Sequence, residues 1–272
     1  MLGKGANMRV IITGASGRMG RMLVKAVTMA KGAELVGATE RSGSAYLQHD
    51  AGTLAGIDAL GVKLVDDLAA CGQADVLIDF TAPQACIEHA KFVAAHGMAM
   101  VIGTTGFDVK QQAELDDVLI ASAVVKAANY SVGVNLALNL IEQAARVLAE
   151  DYDAEIYEAH HKHKVDAPSG TALAMGHALA AGRNVDLDQV AVYAREGITG
   201  ARAVGSIGFS VGRGGNIVGD HKAMFIAEEE RIEINHFAQD RMVFAKGAVR
   251  AGLWLSAQPA GTYDMQDVLG LK

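Results

Sequence analysis

Between Glu155 and Leu173 the chain reads EIYEAHHKHKVDAPSGTAL, and three histidines and two lysines fill the five positions from His160 to Lys164. Several kinds of chemistry could use such a run. Neighbouring imidazoles can hold a metal, but the interleaved Lys162 and Lys164 repel a cation and supply no neutral ligand. No pair of carboxylates in the cluster compensates, so no metal is expected. An anion fits better. Ser169 is placed to cap a helix that begins at Gly170. The amides of Gly170 and Thr171 would then face outward at the helix start, where hydrogen bonds and dipole together favour a carboxylate. Lys164 and the histidines add mobile positive charge, so a small substrate with two carboxylates would be well held. The same groups can also move protons. An imidazole serves as general acid or base near neutral pH, and a lysine among other cations is made a better proton donor. A solvated basic loop is the reading without function.

The elements before this segment are of a kind that positions a cofactor. Met8 to Thr13 is a short, nearly all-apolar, β-branched run, as expected of a buried parallel strand. GASGRMG follows at once, from Gly14 to Gly20, and then a run with helical spacing that stops at Gly32. A second strand, Glu34 to Thr39, ends at Glu40 and Arg41. Strand, glycine turn, helix and strand in about thirty residues make a dinucleotide-binding unit. The spacing is GxxGxxG rather than GxGxxG, so the glycines alone are a weak signal. The flanking strand and helix, and the acidic residue at Glu40, strengthen it. A carboxylate there suits the ribose hydroxyls of NADH, and the Arg41 guanidinium suits the 2′-phosphate of NADPH. Having both predicts a site that accepts either.

Further strands are predicted at Val62 to Val65, Ala74 to Thr81, around Met98 to Gly106, and in the run that ends at Ala127 to Tyr130. A helix is predicted from about Pro83 to His96. Asp79, Phe80 and Thr81 should lie at the ligand-binding edge of the sheet. Gly103, Thr104 and Thr105 follow a strand and are placed to reach a cofactor. Strand and helix alternate throughout this half, which predicts a Rossmann-like, doubly wound α/β fold. Val132 to Glu150 reads as one amphipathic helix with Leu136, Leu140, Ala144 and Leu148 on its apolar face. The rhythm then changes. SIGFSV, NIVGDHKAMFIAE and RIEINHFA look like antiparallel strands of a second, α+β domain with a mixed or antiparallel sheet. Arg241 to Ala257 looks helical again and is placed to return to the first domain. The predicted division is a dinucleotide-binding domain at 1–130, completed by 241–272, and a substrate-binding domain at 131–240.

Composition narrows the function classes. Half of the 272 residues are hydrophobic (51%) and 20% are charged, so a large core is expected and disorder is not. The net charge of −7 argues against a general nucleic-acid binder. No apolar run is long enough to span a bilayer, and MLGKGANMRV lacks the apolar core of a signal peptide, so the cytosol is the expected compartment. Residues before Met8 read as a short lead-in. Cys71 and Cys86 have no metal or redox spacing and read as reduced, buried thiols.

EAHHKHKVDAPSGTA resembles the signature of the 4-hydroxy-tetrahydrodipicolinate (dihydrodipicolinate) reductase family. The resemblance extends over nearly the whole chain, through GASGRMG, DFT, VIGTTGF, AANYSVGVN, GRGGNIVGDH and FAKGAVRA. It implies reduction of a cyclic dicarboxylate to tetrahydrodipicolinate by NADH or NADPH, with hydride going to ring carbon C4 and loss of water, on the diaminopimelate route to lysine. It implies His160 as proton donor and acceptor, Lys164 as proton donor, and His161, Gly170 and Thr171 as substrate ligands. It implies cofactor contacts at Gly14, Ala15, Ser16, Gly17, Arg18 and Met19, at Glu40 and Arg41, at Gly103, Thr104 and Thr105, and at Ala127, Ala128, Asn129 and Tyr130. A homotetramer built on the second domain's sheet is implied as well. One position departs from the pattern. Some relatives carry an arginine after Phe80 and Thr81 that helps hold a 2′-phosphate, where this chain has Ala82. That leaves Arg41 as the main candidate and implies dual cofactor use, leaning to NADH. Two other readings remain at this point: another nicotinamide oxidoreductase acting on an amino-acid-derived acid, such as an aspartate dehydrogenase, and a dinucleotide-sensing regulator without turnover. Lys162 and His163 have no assigned role.

Overall fold

A computed structural model describes residues 7–272, and the lead-in expected before Met8 lies outside them apart from Asn7. In chain order the elements are β1 (Met8–Ile12), α1 (Arg18–Met29), β2 (Ala33–Thr39), α2 (Ala51–Ala55), β3 (Leu64–Val65), β4 (Val76–Asp79), α3 (Pro83–His96), β5 (Ala99–Ile102), α4 (Val109–Val118) and β6 (Ala123–Lys126). They continue with α5 (Val132–Leu148), β7 (Asp153–His160), α6 (Gly170–Arg183), α7 (Leu187–Val190), β8 (Ala191–Val192), β9 (Ile207–Arg213), β10 (Gly219–Ile226), β11 (Arg231–Ala238), α8 (Met242–Leu255), β12 (Gly261–Tyr263) and α9 (Met265–Leu269). They form two compact units. The first runs to Val132 and resumes at Arg241–Lys272; the second is Gly133–Asp240.

The first unit holds a seven-stranded sheet in the order β12-β6-β5-β4-β1-β2-β3, with every pairing parallel. Its central strands are apolar on both faces, and helices cover both. Val10, Ile12, Val76 and Ile78 face a core shared with α1 and α8. Ile11, Leu77 and Met100 face a second core with Cys86, Ile87, Ala90 and Val93 of α3. The chain moves outward from β1 to β3 and then crosses to β4 on the other side of β1. That reversal opens a crevice at the carboxyl ends of β1 and β4, the usual ligand position in such sheets. The glycine turn enters it. Gly14 has φ +62°, and a side chain at Gly20 would put Cβ 2.2 Å from the Gly14 carbonyl oxygen. The close approach of α1 to the turn therefore needs glycine there.

The second unit holds a mixed five-stranded sheet in the order β11-β10-β7-β9-β8. β10 is antiparallel to β7 and β11, as expected. β9, the SIGFSV run, is instead parallel to β7 and to β8. The chain leaves β7, passes through α6 and α7 to the edge strand β8, and returns after a long loop as β9, each time in the same direction; crossovers of this length yield parallel pairing, a tight hairpin does not.

The stripe expected on α5 is corrected at two of its four positions. Leu136 and Leu140 are 43% and 44% exposed, Ala144 and Leu148 are partly buried against the core, and the helix buries Val134, Ala137, Ile141 and Ala145. The buried face carries the close contact with α6: a Cβ at Gly182 would lie 2.7 Å from Cβ of Ala145 and 2.3 Å from the Glu142 carbonyl oxygen, so small residues meet there, and Leu136 and Leu140 fall outside that face. Of the two thiols Cys86 is buried, but Cys71, on the loop between β3 and β4, is only partly covered; both are free. Among the described residues no helix is long and apolar enough to cross a membrane.

Candidate functional site

The first unit presents a cavity of about 770 Å³ at the carboxyl ends of β1, β2 and β4. Gly14, Ser16, Gly17, Glu40 and Arg41 line it, together with Phe80, Thr81, Ala82 and His89. The turn is held by the Gly17 amide donating to the Gly14 carbonyl (3.0 Å) and the Ala15 amide to the Thr39 carbonyl (2.9 Å). Glu40 reaches back to it. One carboxylate oxygen accepts from the Ser16 amide (3.3 Å) and hydroxyl, and the other from the Arg41 amide (3.0 Å). Glycines and a serine along the wall leave room for a bulky anion against the amides at the start of α1. The Glu40 carboxylate stands at the end of the second strand, as ribose recognition requires.

The other expected cofactor residues do not line this cavity. Ala15 is buried and its amide is spent, so it gives the turn its shape. Met19 packs on the core, and Arg18 is exposed at the first turn of α1. Thr104 is buried. Its hydroxyl donates to Asp79 (2.5 Å) and accepts from the Thr81 amide (2.8 Å), and the Gly103 amide donates to the Asp79 carbonyl (2.8 Å). Thr105 is exposed. Ala127 donates its amide to the Ile102 carbonyl (3.3 Å), and Asn129 accepts from the Ser131 amide (2.8 Å). Ala128 lies between them on the turn after β6. Tyr130 is fully buried and its hydroxyl donates to the carbonyls of Ile102 and Val125 (2.8 and 2.9 Å), so its ring braces β5 and β6.

Asp79 organises the floor. It is buried and accepts from Thr13, Thr81, Thr104 and His89, the last at 2.5 Å. Burial works against its charge, but the His89 contact and the threonine hydroxyls outweigh it and hold the carboxyl below its usual range.

In the second unit the cationic loop leaves the end of β7. His160 is 8% exposed and the last residue of that strand. Glu158, two residues earlier, lies on the same sheet face. Its carboxylate is 1% exposed and fully engaged. Oε2 meets His160 Nδ1 at 2.6 Å and accepts from Arg213 Nη1 at 2.8 Å. Oε1 accepts from Arg213 Nη2 and from the Ser169 amide, each at 2.9 Å. Burial opposes ionisation, yet the bonds from Arg213, His160 and Ser169 prevail and hold Glu158 below the usual carboxylate range.

With Nδ1 on Glu158, Nε2 is the other ring nitrogen of His160. It faces Gly219, where a Cβ would lie 3.0 Å away. His221 stands edge-on to His160, ring centroids 5.0 Å apart, and its Nε2 is 3.2 Å from Ser169 Oγ. Its Nδ1 is buried without a hydrogen-bond partner among the described residues. Burial, with the neighbouring cationic groups, pushes His221 down to about 4.

Ser169 caps α6, its hydroxyl accepting from the Ala172 amide at 3.2 Å. Gly170 is exposed, with open space where a side chain would be, and Thr171 follows it. First-turn amides have no acceptor within their own helix, so this start is suited to an anion. Lys164 lies on the same loop, its Nζ 2.8 Å from an Asp166 carboxylate oxygen. The loop is fixed to the segment after β9: the His161 amide donates to the Ile217 carbonyl (2.8 Å) and the Gly214 amide to the His160 carbonyl (2.9 Å). Lys162 and His163 are exposed. Among the described residues no group of three His, Cys, Asp or Glu could hold a metal ion. His160, Lys164, Gly170 and Thr171 are thus carried on one strand end, one loop and one helix start. Glu158, Arg213, Gly219 and His221 received no role from the sequence. The strand alternation already put Glu158 beside His160; the other three depend on sheet register, which pairs His160 with Arg213 and Glu158 with His221.

Comparison with known proteins identifies the family. Two family models match, dihydrodipicolinate reductase N-terminus over residues 8–130 and dihydrodipicolinate reductase C-terminus over 133–269. The chain is 53% identical over 266 residues to 4-hydroxy-tetrahydrodipicolinate reductase of Burkholderia vietnamiensis (strain G4 / LMG 22486), covering 97% of this chain and all of the relative. A solved dipicolinate-bound dihydrodipicolinate reductase from Paenisporosarcina sp. TG-14 shares the fold, with TM-score 0.76, 22% identity, and coverage of 96% of this chain and 98% of that one. An amine dehydrogenase from Mycobacterium smegmatis is a more distant fold neighbour, with TM-score 0.64, 16% identity and 95% of each chain covered. Two adjoining family models and a relative alike from end to end leave one assignment: the chain belongs to the dihydrodipicolinate reductase family.

Proposed function

We propose that His160 and Lys164 carry the proton transfers of the chain's reaction, that Gly170, Thr171 and His161 hold a substrate carboxylate, and that the cavity at Glu40 and Arg41 takes NADH or NADPH. The reaction itself follows from family membership. The chain is an oxidoreductase that reduces 4-hydroxy-tetrahydrodipicolinate to tetrahydrodipicolinate in lysine synthesis through diaminopimelate. Each turnover consumes one hydride and one proton, and the C4 hydroxyl leaves as water. When bound, the reduced nicotinamide supplies the hydride.

The observation that carries the proton assignment is the buried Glu158–His160 contact at 2.6 Å. It leaves a single imidazole nitrogen for the substrate, in a loop that also bears Lys164 and ends at a capped helix start. A dicarboxylate would meet the first-turn amides of α6 with one carboxylate and the loop cations with the other. The dipicolinate bound by the Paenisporosarcina protein is such a dicarboxylate.

The fit of Glu40 and Arg41 to one cavity supports use of both cofactors, and Ala82 on the same wall adds no cation for a 2′-phosphate. Gly103, Thr104 and Thr105, and Ala127 through Tyr130, would contribute backbone and shape at the adjoining strand ends. We also assign a homotetramer in the cytosol. Tyr157 and Phe237, 40% and 60% exposed, stand on the face of the second sheet opposite to buried Phe225, and a second copy would cover them.

The test follows nicotinamide absorbance with freshly generated cyclic substrate and each cofactor, for the wild type and His160→Gln. The wild type should oxidise both in a substrate-dependent way. The variant should lose about 10²–10⁴-fold in kcat, the range supplied by general acid–base catalysis, with dinucleotide affinity unchanged. Near-normal turnover of His160→Gln would remove that residue from proton transfer. Saturable cofactor binding without oxidation in folded wild type would mark a sensor, not an enzyme.

A further inference from the structure

We propose that Glu158 is the positioning residue of the site: it fixes the proton of neutral His160 on Nδ1, so that Nε2 faces the substrate, and it ties the imidazole to the start of α6. The inference rests on the reading of His160 as the proton-transfer group.

Glu158 has two oxygens and four contacts, from three residues. Oε1 accepts from the Ser169 amide and from Arg213 Nη2; both are obligatory donors. Oε2 accepts from Arg213 Nη1 and meets His160 Nδ1. An ionised carboxylate only accepts, so Nδ1 must carry the proton. Arg213 keeps the carboxylate ionised at a buried position, where a lone charge would be costly. It is placed by register, since it pairs with His160 across β7 and β9. Its Nη2 also donates to the Asp166 carbonyl (2.6 Å), so the same side chain anchors the loop that bears Lys164. His221 stacks edge-on without bonding it, and Gly219 offers no side chain to cover Nε2.

The Ser169 amide gives Glu158 its second task. One oxygen holds the acid–base residue and the other holds the N-cap of the carboxylate-binding helix, so a single buried side chain sets the separation of the two halves of the substrate site. Such rigid support is what holds reacting groups within reach of one another.

Glu158→Gln tests this because an amide must turn one oxygen into a donor. At the Oε1 position the new NH₂ would oppose two N–H donors. At the Oε2 position it opposes one, and His160 Nδ1 can become an acceptor by moving its proton to Nε2. The variant therefore selects the wrong tautomer, as does a carboxylate-to-amide change in a serine-protease triad.

The experiment uses the full-length protein labelled with ¹⁵N-histidine at a pH where the imidazole is neutral, with His160→Gln to assign the ring signals. In the wild type the His160 proton should reside on Nδ1; a proton on Nε2 overturns the proposal with no variant needed. Glu158→Gln should shift the proton to Nε2 and lower kcat about 10²–10⁴-fold, with KM for the cofactor unchanged. A normal tautomer or a near-normal kcat in folded Glu158→Gln overturns it. Should that variant not fold, Glu158→Asp keeps the charge but shortens the reach; it should lose at least about tenfold in kcat, and wild-type kcat overturns the proposal. If His160→Gln itself turns over normally, the reading of His160 fails, whatever the tautomer shows.

Discussion

His221 should make the second unit sensitive to mild acid. The ring is 4% exposed, its Nε2 meets Ser169 Oγ, and its Nδ1 is buried without a hydrogen-bond partner among the described residues. An imidazolium needs two acceptors, and this site offers one. Burial is the largest influence; His160, His236 and Lys164 act in the same direction, and Glu158 opposes them. The result is a fall from 6.5 to about 4. The sign follows. Between those values the unfolded chain binds a proton that the folded chain refuses, so acid favours unfolding. The loss begins as pH falls below about 6.5 and levels off near 4, and amounts to about 3 kcal/mol. His236, also lowered by burial, adds to the loss in the same direction. Glu158, Asp79 and Asp75 are lowered carboxyls, so their stabilisation is complete above their unfolded values, about 4, and is lost only in stronger acid. The perturbation is His221→Phe, which keeps a ring of similar size and removes the titration. Urea unfolding at fixed protein concentration, at pH 7 and pH 4.5, should show a loss smaller in the variant by about 2–3 kcal/mol. An equal loss in both proteins would refute the account of His221. His221→Phe should also cost about 1 kcal/mol at pH 7, for the Ser169 hydroxyl left with one partner fewer.

Two further outcomes are expected. Gly219→Ala places a Cβ 3.0 Å from His160 Nε2 and 3.3 Å from His221 Cε1. Steady-state kinetics should show kcat reduced about tenfold or more with dinucleotide affinity intact, and an unchanged kcat would mean that Nε2 is not the working nitrogen. Arg41→Ala should lower kcat/KM for NADPH about fivefold to tenfold and leave NADH nearly untouched, since an exposed guanidinium gives a modest, screened attraction to a 2′-phosphate. An unchanged ratio of the two cofactors would shift the recognition elsewhere on the cavity wall.

Much of the first unit was legible because its signals are local. A β-branched run, a glycine turn and a helical period within about thirty residues specify strand, turn and helix with little help from the rest of the chain. The second unit was harder for a physical reason. SIGFSV has strand composition, but whether β9 runs parallel or antiparallel to β7 depends on the long crossover between them, which no local pattern records. The α5 stripe failed likewise. Leu136 and Leu140 fit an apolar period, but Val134, Ala137, Ile141 and Ala145 fit one as well, and which face is buried is decided by the packing against α6 and the sheet.

The site divides along the same line. His160, Lys164, Ser169 and Gly170 were legible because one short segment carries them all. Glu158 was two residues from His160 and could have been found by strand alternation. Arg213 and His221 could not, because they lie more than fifty residues downstream and reach the site only through register. A shift of one residue in β10 would turn His221 to the other face of the sheet, and a shift in β9 would take Arg213 from Glu158. The acid–base chemistry proposed for the cationic loop thus depends on strand pairing as much as on the loop's own residues. Substitutions that disturb the β7–β9 register should therefore disable His160 without touching it.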